Sequence, residues 1–152
     1  MTTRNLSRVF GMAALLLTAV PAFAAGPFRF YPLTPCRVID TRQPANAPVM
    51  SSLTTRSFQI RGACGIPTTA KAVAINVTAF TPTVKGHLRV FPADVALPNT
   101  STLNFAGGEN AVANGAIVPM PAAAGGNDLS VYLYQITSGT SHLIVDVTGY
   151  FE

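Results

Sequence analysis

Ala72-Val73-Ala74-Ile75-Asn76-Val77-Thr78-Ala79-Phe80 places Val73, Ile75 and Val77 on one side of an extended chain and Asn76 and Thr78 on the other. Alternation with period two, in a run rich in β-branched residues, is the pattern of a half-buried strand. Pro82 ends the run, and a turn at Gly86 leads into His87-Leu88-Arg89-Val90-Phe91. On the other side, Arg56-Ser57-Phe58-Gln59-Ile60-Arg61 sets Phe58 and Ile60 against polar neighbours before Gly62-Ala63-Cys64-Gly65-Ile66-Pro67 breaks it. Nearer the N-terminus, Phe28–Tyr31 alternates, and Cys36–Ile39 follows a Pro-Leu-Thr-Pro turn. Gln43–Ser52, with Pro44, Asn46 and Pro48, reads as a loop. Further strands fit Thr102–Phe105, Ala111–Val118, Leu129–Gln135 and Ser141–Phe151, separated by Gly107-Gly108, Gly125-Gly126-Asn127 and Ser138-Gly139. Eight or nine short strands at near-regular spacing predict a single antiparallel β-sandwich. A jelly roll is the first expectation and an Ig-like topology the second.

The composition agrees. Of 152 residues, 49% are hydrophobic and 11% charged, against about 25% charge in an ordinary soluble domain. Disordered chains and coiled coils need more charge than this. Twelve Gly and twelve Pro leave little room for long helices.

Residues 1–24 have the order of a secretory signal peptide. Arg4 and Arg8 precede an uncharged stretch from Val9 to Val20, and Pro21-Ala22-Phe23-Ala24 supplies a helix break and an A-x-A site. The apolar stretch falls short of the ~20 residues that span a bilayer, and no other segment is a candidate span. The expected arrangement is therefore a leader over 1–24 and one β-sandwich domain over 25–152. Without Arg4 and Arg8, eight Lys and Arg face six Asp and Glu, a net charge of about +2. These cations are scattered, whereas nucleic-acid binders cluster them; a nucleic-acid partner is not expected.

Export would place Cys36 and Cys64 in an oxidising compartment, where an isolated pair forms a disulfide. A zinc site joining them to His87 and His142 lacks the close ligand pairs such sites use. No metal or cofactor is expected.

Tyr31-Pro-Leu-Thr-Pro-Cys36-Arg-Val-Ile-Asp40-Thr-Arg42 resembles the opening signature of a secreted bacterial β-sandwich module of uncharacterised function. That module occurs singly or as repeats in extracellular and cell-surface proteins. The similarity runs on through Gly62–Pro67, Ala72–Thr78, Leu88–Pro92, Leu103–Phe105, Ala113-Asn114, Ile117–Pro119 and Asp146–Phe151. It implies a secreted or periplasmic β-module and carries no functional residues with it.

Catalytic motifs are missing: there is no G-x-S-x-G, H-E-x-x-H or Gly-rich phosphate loop. His142 and Asp146 share a strand face but stand about 13 Å apart, beyond hydrogen-bond reach. Asp40 and Asp146 are the one plausible carboxylate couple for glycoside hydrolysis. The reading preferred here is structural: Asp146 paired with Arg37 or Arg42, and Asp40-Thr41-Arg42 locking a turn. Two rows suit binding. Lys85, His87 and Arg89 form a basic row, alternatively a solvated face or a charged strand edge that discourages aggregation. Ser130, Tyr132 and Tyr134 form an aromatic row that sugars could stack on, alternatively one packed in a second layer. The expected function is a non-catalytic, secreted or cell-surface interaction module contacting glycan or cell-wall polymer. The alternatives are a self-assembling structural subunit, joined through edge strands with Gly26–Tyr31 as donor, and a small secreted hydrolase.

Overall fold

A computed structural model describes residues 27–152; the expected signal peptide lies outside them. Nine strands follow in order: β1 (Phe30–Asp40), β2 (Met50–Ser51), β3 (Thr54–Phe58), β4 (Ala72–Phe80), β5 (Gly86–Pro92), β6 (Leu103–Phe105), β7 (Ala111–Pro119), β8 (Leu129–Gln135) and β9 (Thr140–Phe151). One antiparallel sheet has the order β1-β9-β4-β7, with the two-residue β2 attached to the start of β9. The second has the order β3-β8-β5-β6.

This order is a jelly roll. With β2 set aside, first pairs with last, second with seventh, third with sixth and fourth with fifth, as when one long hairpin is rolled into two facing sheets. In a constant-type Ig domain the first and last strands lie in different sheets; here β1 runs beside β9.

Alternation builds the core. Val73, Val77, Leu143, Val145 and Val147 from the first sheet meet Leu88, Val131, Leu133 and Leu103 from the second, all buried. β4 and β8 span the residues that periodicity predicts. Elsewhere the structure differs. Pro32-Leu33-Thr34-Pro35 is not a turn between two strands: β1 is continuous, and register shifts between Pro32 and Cys36 and between Arg37 and Ile39 absorb the irregularity. An edge strand tolerates this, since a proline facing outward removes no ladder bond. The predicted Gln43–Ser52 loop contains β2, whose Met50 is fully buried. β3 ends at Phe58, and Ile60 and Arg61 turn their backbone amides to Asp128 instead.

The Cys36–Cys64 disulfide is formed and ties the loop after β3 to β1. Gly62, Cys64 and Gly65 have positive φ (87°, 53° and 80°), a tight path for which glycine is the natural residue at two of the three positions.

Candidate functional site

The outer face of the four-stranded sheet unites the two rows that the sequence suggests separately. β5 and β8 are neighbours, with His87 opposite Tyr134 and Arg89 opposite Tyr132. Their inward partners, Leu88, Val90, Val131 and Leu133, are core residues, so period two fixes all four polar side chains outward.

The four groups interlock. The His87 ring stacks on Tyr134 with centroids 5.0 Å apart, and the Arg89 guanidinium lies 5.4 Å over the Tyr132 ring. Arg89 Nε donates to His87 Nε2 at 3.0 Å, and another guanidinium nitrogen donates to the Pro98 carbonyl at 2.6 Å. His87 Nε2 must therefore be unprotonated. Burial, and then the neighbouring Arg89 charge, hold its pKa below the ordinary 6.5, which favours that state. Tyr134 is exposed and Tyr132 half-buried, so neither ring belongs to the core. On the same face stand Thr55 of β3, opposite Tyr132, and Asn104 of β6, opposite His87. The Ser130 hydroxyl is buried against Ser57 at 2.8 Å and lies below the accessible part of the row.

Lys85 precedes β5, so the strand itself presents only His87 and Arg89. The lysine is exposed at the sheet's end, where its carbonyl accepts from the amide of the exposed Ile136.

The other predicted residues meet on the outer face of the five-stranded sheet. Arg42 grips Asp40 through two side-chain bonds of 2.9 and 2.7 Å and stacks over Phe80 at 4.7 Å. Arg37 spans both acids, at 2.8 and 3.2 Å from the two Asp146 oxygens and 3.4 Å from Asp40. The Arg42 guanidinium pulls the Asp40 carboxyl down to about 2 against the cost of burial; a general acid at neutral pH needs the opposite shift. His142 contacts the Thr41 hydroxyl at 3.1 Å rather than Asp146. Pro35, Arg37, Asn76, Asp146 and Thr148 line a shallow open depression beside this network. Among the described residues no three metal-ligating side chains converge.

Sequence reasoning missed two things. Adjacency of the basic and aromatic rows follows from the jelly-roll order, which makes the fourth and seventh strands neighbours, and neither row carries a local signal of the other. The buried Arg61–Asp128 pair (2.7 Å) left no such signal, because its partners lie on loops far apart in sequence.

No family model, curated protein or solved structure matches the chain.

Proposed function

We propose that the protein is a non-catalytic extracellular module that contacts glycan or cell-wall polymer through the outer face of the four-stranded sheet. The observation that carries this reading is the convergence of Tyr132, Tyr134, His87 and Arg89 on adjacent strands. Tyrosine supplies an apolar face for sugar stacking and a hydroxyl for orientation. Arg89, fixed by Pro98 and His87, is pre-organised to bond carboxylate or phosphate. Because Arg89 covers part of Tyr132, the face suits an acidic polymer better than a neutral one. Export is supported by the leader-like residues 1–24, the disulfide and the resemblance to a secreted module.

Retention on insoluble cell wall and on charged and neutral polysaccharides tests the reading. Tyr132→Ala combined with Tyr134→Ala should abolish retention with little change in melting temperature. Arg89→Gln should weaken retention on acidic polymer selectively. Unaltered retention in both variants would overturn the assignment of this face, as would no retention of the unsubstituted protein on any of the polymers.

A further inference from the structure

The first sheet ends in β7, Ala111-Val112-Ala113-Asn114-Gly115-Ala116-Ile117-Val118-Pro119, nine residues without a charge. Its register with β4 is unbroken from Ala72 opposite Pro119 to Phe80 opposite Ala111. Just beyond the two ends, Thr81 N donates to Asn110 O and Met120 N to Lys71 O. Even-numbered residues therefore turn their amides toward β4. By alternation, the N–H and C=O groups of Ala111, Ala113, Gly115 and Ile117 point to the open side. All four residues are exposed, Ile117 at 64%. Among the described residues no backbone group outside the ladder and no side chain bonds to those amides; the Asn114 side chain donates to Thr102 O instead.

Among the described residues, the other three sheet edges are blunted. Along β1, Pro32, Pro35 and two register shifts make the edge irregular. β3 has five residues, and its Arg56 reaches across to the carbonyls of Asn46 and Pro48. β6 has only three residues. A long, uncharged edge in unbroken register is the kind that natural sheets otherwise protect.

We infer that β7 is an interaction surface for a second copy of this chain, paired antiparallel about a two-fold axis at Asn114. The strand is self-complementary in that register. Ala111 faces Ile117 and Ala113 faces Gly115, each pair occurring twice by symmetry, and every outward amide meets an outward carbonyl. The exposed Ile117 side chain is covered by the small Ala111 of the other copy, and alanine and glycine elsewhere leave no steric block. Pro119, which has no N–H to offer, lies just past the last bonded pair. Opposite it, Glu109 of each copy comes within two strands, about 10 Å, of the exposed Lys71 beside the other copy's Met120. The five-stranded sheets then continue across both molecules.

Analytical ultracentrifugation of the purified protein over a concentration series tests this, together with residue-resolved amide exchange. The protein should dimerise reversibly, and protection of the Ala111, Ala113, Gly115 and Ile117 amides should rise with concentration. Ala113→Lys should raise the dimer dissociation constant about tenfold or more by placing like charges diagonally across the axis. Gly115→Pro removes an outward N–H that β4 does not use and should do the same. A protein that stays monomeric throughout, a dimer unchanged by either substitution, or amides already protected in the dilute monomer would each overturn the inference. The exchange readout needs no variant, so a substitution that fails to fold leaves the test intact.

Discussion

Arg61 and Asp128 are nearly inaccessible, their side chains exposed at only 3% and 1%. Asp128 accepts from the Ile60 and Arg61 amides at 2.8 Å each, while Arg61 also donates to the Ala70 and Pro121 carbonyls. One pair thus fastens the segment after β3, the approach to β4 and the segment after β7. Asp128→Asn keeps the shape but leaves a buried guanidinium uncompensated. It should cost about 3–5 kcal/mol in chemical denaturation. Two other groups make stability depend on pH, in separate windows. The His87 pKa is lowered by folding, so the unfolded chain binds its proton first and stability should fall as pH drops below about 6.5. Asp40 is also lowered, from 3.8 to about 2, so its contribution is present above 3.8 and is lost as pH falls through that window. Thermal melts from pH 8 to 2 should show both declines, and His87→Gln should remove only the upper one.

At the scale of elements, β1 and β9 depend on a missing side chain. The Phe30 ring packs against Gly149, where an added Cβ would collide with the ring and lie 2.7 Å from the Tyr31 carbonyl oxygen. Phe30–Phe151 and Tyr31–Tyr150 ring pairs, both at 5.1 Å, surround the contact. Gly149→Ala must push the β1 backbone as well as the ring, so it should destabilise by about 1–3 kcal/mol. Faster exchange of the β1 amides would locate the damage. The same pairing changes what the N-terminal segment can offer a neighbour: Phe30 and Tyr31 are already bonded to their own β9, and Arg29 exchanges backbone bonds with Glu152. A donor strand from Gly26–Tyr31 would have to give these up. The strands themselves were largely legible, β4 and β8 to the residue, because alternation is a local property. Pro32–Pro35 misled because a bulge in an edge strand and a turn use the same residues.

For the whole molecule, the disulfide joins the edge of one sheet to the loop that leaves the other. Closing a loop of about 29 residues should contribute roughly 3–4 kcal/mol by restricting the unfolded chain. Reduction should lower the melting temperature accordingly, and thiol labelling of the unfolded, non-reduced protein should find no free cysteine; two labelled thiols would refute the bridge. Alternating side chains, breaker residues and composition were enough to determine an all-β sandwich, because each strand's buried face is written in its own residues. Which strands become neighbours was not, because pairing joins residues as distant as Arg37 and Asp146 and depends on how the rolled hairpin closes. Closure alone set His87 and Arg89 against Tyr134 and Tyr132, bridged Asp40 and Asp146 with one arginine, and buried Arg61 with Asp128. It also decided that β7, no more apolar in sequence than β4, is left as an open edge while β4 lies in the middle of the sheet.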